Sequence, residues 1–293
     1  MSSTTYSFLN TEQEKSRLQI FQHNCNRVTS TMHSVLESAV GKIDIILFQE
    51  PWIGSGNITV SHPAFTSIIP VTELRPRVVT FISKANCNLK CTPRPDISTD
   101  NDLQALSISM PNLKEFLLLN IYNEKSLQEN SSEYTVERAL NQIKSTQRTL
   151  LCEDLNAHHS WWNSKISQAK NSDMLISWLK RNQCELINTP DIPTFTRNMV
   201  NRKYTSTLDL TFSTSQLSAE IIDWQIKENE YSGSDHEVIQ FSIITEDITL
   251  VESSFNSSFN IQKAKWTEFK QQLCQESKSM LEELKHLERQ KLN

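Results

Sequence analysis

Short apolar segments typical of β-strands recur between residues 18 and 244, with no fixed repeat length between them. They are rich in Ile, Leu, Val and Phe, and polar or turn-forming residues separate them. The pattern predicts strands at Leu18–His23, Ile43–Gln49, Val78–Ser83, Leu103–Ser109, Phe116–Tyr122, Thr149–Cys152, Glu185–Asn188, Leu208–Phe212, Ala219–Gln225 and Glu237–Ile244. Helical spacing of apolar residues predicts helices at Thr29–Ala39, Ser132–Gln147 and Met174–Gln183. Strands in the majority, with helices placed irregularly among them, indicate layered structure of the α+β class.

The same pattern divides the chain into a domain and flanking segments. We expect a flexible N-terminus over residues 1–17 and one domain over residues 18–245. Residues 246–260 are polar and rich in Ser and Asn, which predicts a linker. Residues 261–293 contain an amphipathic stripe without glycine or proline, which predicts a helical extension. No apolar run approaches about 18 residues and no leader pattern is visible, so we expect an intracellular protein with no membrane segment.

Glycine is scarce, with four residues in 293. No G-x-G-x-x-G or G-x-x-x-x-G-K-[ST] motif can be written with them, which excludes the two common backbone cradles for phosphate. Any phosphate chemistry must therefore use side chains and metal. The net charge of −5 argues against a protein that coats DNA, but it is compatible with an enzyme that gathers carboxylates around a divalent cation.

The cysteines give no sign of a zinc site or a disulfide framework. Six are scattered through the chain, and the one close pair, Cys87 and Cys91, has no second pair at zinc-finger spacing. We interpret them as reduced thiols of an intracellular protein.

Polar residues stand at the ends of the predicted strands, where a scaffold can hold them rigidly. These residues are Asn24, Glu50, Tyr122, Asp154, Asn156, Asp209, Asp235 and His236. Carboxylate and amide oxygens are the ligands that Mg²⁺ prefers, and a His with an Asp partner can transfer a proton or stabilise a charged phosphate. The pattern indicates a metal-dependent phosphodiesterase.

The motifs around these residues resemble a known family. In chain order they are HNCN (23–26), FQEPW (48–52), NIYN (120–123), EDLNAHHSWWN (153–163), STLDLTF (206–212) and SDH (234–236). The set resembles the endonuclease/exonuclease/phosphatase superfamily, and within it the apurinic-type endonuclease domain of non-LTR (LINE-type) retrotransposon polyproteins. The resemblance runs from about residue 18 to residue 244, and its specificity comes from six motifs in the family's order.

This resemblance implies a four-layer α/β/β/α sandwich of two packed mixed β-sheets flanked by helices. It further implies a hydrolase that uses Mg²⁺, or alternatively Mn²⁺, to nick DNA and leave a 3′-hydroxyl. The implied partners are DNA and a reverse transcriptase domain in a parent polyprotein, and the implied location is the nucleus. The segment FNIQKAKWTEFKQQL (259–273) also resembles the stretch that follows this endonuclease in such polyproteins, usually ahead of the reverse transcriptase.

The resemblance also implies residue roles. Glu50 matches a metal-ligating glutamate, Asn24 the asparagine that orients it and the metal-bound water, and Asp235 a second acidic residue of the metal site. Among the catalytic residues, Tyr122 would contact the scissile phosphate, Asp154 position the attacking water and Asn156 hold the phosphate. His236 would polarise the phosphate or transfer a proton, and Asp209 would orient its imidazole.

Two departures from the family pattern raise alternatives. Glu153 stands where the family has glycine, and Glu124 stands where it has proline. We expect Glu153 to add a carboxylate beside the metal and to strain the turn, so that Glu153→Gly would increase activity. These departures raise the alternative of a catalytically impaired relic that serves as a binding module. A separate alternative is a phosphatase of the same superfamily acting on a small phosphate ester.

Other residues near the motifs have open interpretations. His158 and His159 could join Cys152 in a zinc site, although substrate contact or local structure is the usual role of such residues. Trp161 could stack on a base, whereas Trp162 is expected in the core. Arg75 and Arg77 would either reach the DNA backbone or form a solvated hairpin end.

Overall fold

A computed structural model describes residues 17–128, 132–146, 148–166, 172–200, 202–227 and 233–245. In these residues the strands are β1 Arg17–Asn24, β2 Ile45–Gln49, β3 Phe65–Ile68, β4 Val78–Ser83, β5 Lys90–Pro93, β6 Leu103–Met110, β7 Leu113–Tyr122, β8 Thr149–Asp154, β9 Cys184–Leu186, β10 Phe195–Met199, β11 Arg202–Ser206, β12 Asp209–Thr214, β13 Ile221–Ile226 and β14 Ile239–Ile244. The α-helices are α1 Thr29–Ala39, α2 Thr135–Arg138, α3 Asp173–Arg181 and α4 Ser215–Ser218, and 3₁₀ turns cover Ser55–Asn57 and Leu140–Gln142.

Twelve of these strands form two six-stranded sheets. Sheet 1 has the order β13-β14-β1-β2-β4-β3, and sheet 2 has the order β5-β6-β7-β8-β12-β9. Each sheet contains one parallel pair, β1 with β2 and β7 with β8, and its other pairs are antiparallel. Strands β10 and β11 form a separate two-stranded hairpin.

The hydrophobic residues bury themselves in three layers. One core lies between the sheets and includes Ile20 and Leu47 from sheet 1 with Leu118 and Leu150 from sheet 2. A second joins sheet 1 to α1, and a third joins sheet 2 to α3 and to Trp162. This is the expected sandwich of two mixed sheets with a helix on each outer face, and its class is confirmed.

A polar layer crosses the space between the sheets next to the apolar core. It consists of Gln22 and Gln49 from sheet 1 with Asn120 and Thr211 from sheet 2, all buried. Gln49 donates to Asn120 Oδ1 at 2.7 Å. Gln22 donates to the carbonyls of two strands of sheet 2, at 3.2 and 3.4 Å, and accepts from Thr211. Because buried amides need partners of fixed geometry, these bonds fix how one sheet lies on the other.

The helix expected at Ser132–Gln147 is much shorter in the structure, and only α2 and a 3₁₀ turn remain. The apolar stripe is still buried, with Val136, Leu140 and Ile143 in the core. The backbone beyond residue 142 makes tertiary hydrogen bonds instead of helical ones. The carbonyl of Ile143 accepts from the Trp178 indole at 2.9 Å, and the N–H of Ser145 donates to Asn182 at 3.2 Å. The spacing correctly predicted burial here but not conformation.

Four strands escaped prediction, namely β3, β5, β10 and β11. β3 and β5 are sheet edges and β10–β11 is an exposed hairpin, so their residues lack a continuous apolar pattern. β1 begins at Arg17, inside the segment expected to be flexible. The expectations for residues 1–16, for the linker and for the helical extension lie outside the described residues. In the part of the chain that the structure describes, no helix is long and apolar enough to cross a membrane.

Removing the Asn120 amide should weaken the packing of the two sheets against each other. Asn120→Ala leaves the buried amide nitrogen of Gln49 without its acceptor. The carbonyls of Phe48 and Val79 also lose the hydrogen bonds that the Asn120 amide nitrogen donates. We expect the free energy of unfolding in urea to fall by about 2–4 kcal/mol, since several buried bonds are lost together. Asn198→Ala on the exposed hairpin is the matched control and should change it by less than about 0.5 kcal/mol. An equal loss in both variants would contradict a locking role for the polar layer.

Candidate active site

Polar side chains from both sheets meet at one end of the space between them, which we call the site end. In sheet 2, Tyr122 pairs in register with Asp154, and Asp154 pairs with Asp209. Directly paired residues share a face of the sheet, so the three side chains form a row. From sheet 1, β1 ends at Asn24, and Glu50 follows β2 directly. Strand direction and register therefore bring five of the predicted residues together.

Glu50 is held by contacts on every side. Its backbone has a positive φ of 42°, and its N–H donates to the carbonyl of Arg77 at 3.0 Å. One carboxylate oxygen, Oε1, accepts the Tyr122 hydroxyl at 2.5 Å. The other, Oε2, lies 3.0 Å from Nε of Arg27. These contacts aim the carboxylate at the site end.

Asn24 connects Glu50 to Asp154. Its amide nitrogen donates to Oδ2 of Asp154 at 2.7 Å and lies 3.5 Å from Oε1 of Glu50. Its amide oxygen accepts the backbone N–H of Asn26 at 2.7 Å, which fixes the orientation of the amide. In this orientation Asn24 positions two carboxylates, one from each side of the site.

Asp209 and His236 form a buried pair. Nδ1 of His236 lies 3.0 and 2.9 Å from the two oxygens of Asp209, and the Phe195 ring packs edge-on against the imidazole with centroids 4.8 Å apart. Burial alone would lower the pKa of His236, but the charge and hydrogen bond of Asp209, with Asp154 and Glu50, raise it to about 9. The imidazole is therefore held as a cation with a fixed ring orientation.

Asp154 is the centre of the carboxylate cluster. Burial raises its pKa, and the charges of Asp209 and Glu50 add to this, while His236 and the Asn24 hydrogen bond oppose it. Ligand atoms of Asp154, Asp209 and His236 lie within 4.8 Å of one another, close enough to share a metal ion. Burial and the nearby carboxylates of Glu50 and Asp154 also raise the pKa of Tyr122, so its hydroxyl stays protonated as a donor.

The remaining two predicted residues lie at the edge of this cluster. Asn156 follows β8 with a positive φ of 48°, and its N–H donates to Oδ1 of Asp154 at 3.3 Å. Asp235 is about one third exposed, and its Oδ2 lies 2.7 Å from Nε of Arg197 on the β10–β11 hairpin. The structure thus places Asp235 at the rim, in an ion pair rather than among the central carboxylates.

Glu153 corrects one expectation. It lies in β8 between Ile121 and Leu210, both members of the core beneath α3, so its side chain points to the opposite sheet face from Asp154. It adds no carboxylate beside the site, and its backbone φ is not positive. Instead the side chain is completely buried, and neither carboxylate oxygen has a hydrogen-bond partner. Burial raises its pKa well above the usual range, so the folded protein carries it as a neutral acid.

A buried ion cluster behind Tyr122 was not found from the sequence. Arg77 is buried and donates through Nε and Nη2 to Asp102, and Arg138 binds Asp102 and Asp100. The Arg77 guanidinium lies 5.3 Å from the centroid of the Tyr122 ring. Both interpretations of Arg77, a DNA contact or a solvated hairpin end, are therefore wrong. The pairing joins residues 25 positions apart, a separation at which the sequence carries no periodic signal.

His159 and Trp162 have structural roles beside the site. Nδ1 of His159 accepts the N–H of Trp161 at 3.1 Å, and its ring packs against Trp162. Trp162 is fully buried, which confirms its prediction as core, whereas Trp161 is 39% exposed. Among the described residues, the group with metal-binding spacing does not include His158, His159 or Cys152, which gives no support to the zinc alternative.

Comparisons with known proteins agree with this fold. Residues 116–240 match the family model described as endonuclease-reverse transcriptase. The endonuclease domain of TRAS1, a telomere-specific non-LTR retrotransposon, is 22% identical with a TM-score of 0.59, covering 77% of this chain and 98% of that domain. The AP endonuclease LMAP from Leishmania major is 13% identical with a TM-score of 0.54, covering 78% and 88%. The Xenopus laevis APE2 catalytic domain is 15% identical with a TM-score of 0.51, covering 78% and 93%. A comparison with the curated proteins found no match.

The chain has the endonuclease/exonuclease/phosphatase fold. The fold and the family-model match over residues 116–240 agree with the resemblance that the sequence motifs indicated. The residues matched by the endonuclease-reverse transcriptase model include the row on sheet 2 and His236, whereas Asn24 and Glu50 lie before it. In this fold the site is thus divided between a matched half, on sheet 2, and a half contributed by β1 and β2.

Replacing the buried acid of this fold should stabilise it. In the unfolded chain Glu153 ionises above about pH 4.5, whereas in the folded chain it stays protonated, so the unfolded state binds fewer protons as the pH rises. The free energy of unfolding should therefore fall with rising pH, by about 1.4 kcal/mol per unit from this group. Glu153→Met keeps the length of the side chain and removes the acid. It should raise the free energy of unfolding at pH 8 and reduce the slope of that free energy against pH, both measured by urea titration. Glu185→Met, on an exposed part of β9, is the control. An unchanged slope in Glu153→Met would show that the acid finds a partner.

Proposed function

We propose that the protein is a Mg²⁺-dependent endonuclease that nicks one DNA strand and leaves a 3′-hydroxyl. One observation carries the proposal: Glu50, Asp154 and Asp209 converge with an Asp-oriented histidine at the site end of a nuclease fold. Three carboxylates so close together would repel an anionic phosphodiester. The site can therefore bind one only if cations offset the negative charge. The fold is shared with two AP endonuclease-type structures and a retrotransposon endonuclease, which supports DNA as the substrate class.

The donor set suits a hard divalent cation. Glu50 and Asp154 present oxygens on either side of the Asn24 amide, and Asp235 adds a carboxylate at the rim. The raised pKa of Asp154, caused by burial and by its acidic neighbours, indicates local negative charge that such a cation would neutralise. Oxygen ligands of this kind select Mg²⁺ or Mn²⁺ over zinc. When bound, the metal would supply charge stabilisation to the phosphate oxygens.

The protein's own groups have distinct roles around the phosphate. With Nδ1 engaged by Asp209, Nε2 is the His236 nitrogen that would donate to a phosphate oxygen, and the raised pKa keeps the imidazole charged for this task. Tyr122 would donate its hydroxyl to the phosphate. Asp154 would accept a hydrogen bond from the attacking water and receive its proton, and the amide of Asn156 would hold a phosphate oxygen.

The β10–β11 hairpin supplies a cationic surface beside the catalytic histidine. Phe195 at its base pairs with His236 through a backbone bridge, so the hairpin projects from the site itself. Arg202, Lys203 and Tyr204 along β11 are exposed. Two cations and an aromatic ring on an exposed ribbon are suited to the phosphates and bases of a duplex. Within a longer polyprotein, the 3′-hydroxyl left at a nick could prime an attached reverse transcriptase, which would place this activity in the nucleus.

Removing the side chain of Asp154, Asn156 or His236 should strongly reduce the rate of nicking. We expect Asp154→Ala, Asn156→Ala and His236→Ala each to reduce the rate of supercoiled plasmid nicking at least a hundredfold, because each removes a group positioned on the reacting phosphate or water. Wild-type nicking should require Mg²⁺ and stop with EDTA. Far-ultraviolet circular dichroism and thermal melts check that the variants remain folded, and His33→Ala on the exposed face of α1 is the control.

The same assay separates the competing functions. Phosphate release from a phosphoinositide or sphingolipid without plasmid nicking would support the phosphatase alternative. A cooperative melt with no metal-dependent cleavage at high protein concentration would support the binding-module alternative. Nicking by His236→Ala at the wild-type rate would refute the role given to that residue.

Removing the hairpin cations should weaken DNA binding without affecting the chemistry. For Arg202→Ala combined with Lys203→Ala, we expect the slope of log K against log salt to decrease by about 2, because each phosphate contact contributes about 0.9. The rate constant at saturating DNA should stay within about threefold of wild type. Lys42→Ala combined with Lys90→Ala removes two exposed cations elsewhere and should leave the slope unchanged. Equal slopes in the two double variants would exclude the hairpin as a DNA contact.

A further inference from the structure

Two exposed arginines each form an ion pair with a carboxylate that the proposed function assigns to the metal. Nε of Arg27 lies 3.0 Å from Oε2 of Glu50, and Nε of Arg197 lies 2.7 Å from Oδ2 of Asp235. The arginine side chains are 62% and 54% exposed, whereas that of Glu50 is 16% exposed. Each guanidinium thus covers a carboxylate from the solvent side.

The backbone holds each arginine next to its carboxylate independently of the ion pair. The N–H of Arg27 donates to the carbonyl of Glu50 at 2.8 Å, in a turn where Arg27 has a φ of 60°. The N–H of Thr196, next to Arg197, donates to the carbonyl of Asp235 at 2.7 Å. The two side chains can therefore leave their carboxylates while the loops stay in place.

These pairs differ in kind from the other arginine pairs near the site. Arg77 is buried and the Arg138 side chain is only 12% exposed, and several hydrogen bonds tie each of them to acidic groups and carbonyls. Arg27 makes a single charged contact, and Arg197 adds a position over the Phe195 ring, 5.2 Å from its centroid. Exposed single contacts are weak because water solvates both partners well. They are suited to exchange, and the buried pairs are not.

A divalent cation and a guanidinium compete for the same oxygens. A cation bound by Glu50 or Asp235 would supply the counter-charge that the arginine now supplies, and it would repel the nearby guanidinium. The displaced side chain would then be a long, exposed cation at the rim of a site that receives a phosphodiester. Arginine pairs with phosphate oxygens through its planar fork of donors.

We propose that Arg27 and Arg197 are exchangeable counter-ions that link metal binding to DNA binding. Without metal they neutralise Glu50 and Asp235. With metal they are released from these carboxylates and contact phosphates of the DNA backbone. The exchange rests on the proposed function, and it assigns to this site a cooperativity in which divalent cation and DNA each favour the binding of the other.

The exchange makes predictions of opposite sign for two affinities. Arg27→Ala and Arg197→Ala remove a competitor of the cation, so the Kd for Mg²⁺, measured by calorimetry on the protein without DNA, should fall by about threefold to tenfold. The same variants lose a phosphate contact. In a His236→Ala background with Mg²⁺, which keeps the DNA intact, duplex affinity should fall, and the salt slope should decrease by about 1. In EDTA the salt slope of the variants should equal that of the parent.

Arg17→Ala is the matched control, because Arg17 forms an equally exposed pair with Asp223 at the far end of β1. It should change neither affinity. A fall in both affinities in Arg27→Ala or Arg197→Ala would mean that the arginine only supports the structure. An unchanged Kd for Mg²⁺ would exclude competition between the arginine and the cation. Either result overturns the exchange, whereas nicking of plasmid by the wild type would still uphold the proposed function. If the wild type binds neither Mg²⁺ nor duplex, the proposed function fails and the exchange with it.

Discussion

Hydrogen bonds of two amides that cross between the sheets, Gln22 and Asn120, determine whether the two halves of the candidate site meet. The row of Tyr122, Asp154 and Asp209 belongs to sheet 2, whereas Asn24 and Glu50 come from sheet 1. The 2.7 Å bond from Asn24 to Asp154 and the 2.5 Å bond from Tyr122 to Glu50 therefore depend on how the sheets are aligned. Apolar side chains between sheets tolerate small slides, because dispersion contacts have little directional preference. Amide hydrogen bonds do not, because their strength falls steeply with angle and distance. The polar layer therefore converts a tolerant interface into one with a fixed alignment.

The site is also organised by how its negative charge is balanced at different depths. Behind Tyr122, the buried Asp102 is paired with the buried Arg77 and with Arg138, whose side chain is 12% exposed. At the centre, Asp209 is balanced by the His236 cation. At the rim, exposed arginines balance Glu50 and Asp235. The exposure of the ion pairs increases from the interior to the solvent, so the carboxylates that the proposed function assigns to the metal carry the counter-charges that are easiest to replace.

The sequence predicted the elements that have strong periodic patterns and the residues at their ends. Helix α1 has the expected bounds, and the polar residues at or near the strand ends include Asn24, Glu50, Tyr122, Asp154 and Asp209, which the structure brings together. The prediction for Glu153 was wrong because side chains alternate between the two faces of β8. Asp154 faces the site, and Glu153 therefore faces the core on the other side of the sheet. Arg27, Arg197 and Asp102 were missed because their partners are distant in sequence and are fixed only by tertiary contacts.

Strands β1 and β14 lie side by side, with Arg17 opposite Ile244. β1 runs from this pair towards Asn24, so the pair lies roughly 23 Å from the active site along the strand, at about 3.3 Å per residue. The described part of the domain, residues 17–245, thus begins and ends on adjacent strands, at the end of the sheet opposite to Asn24 and Glu50.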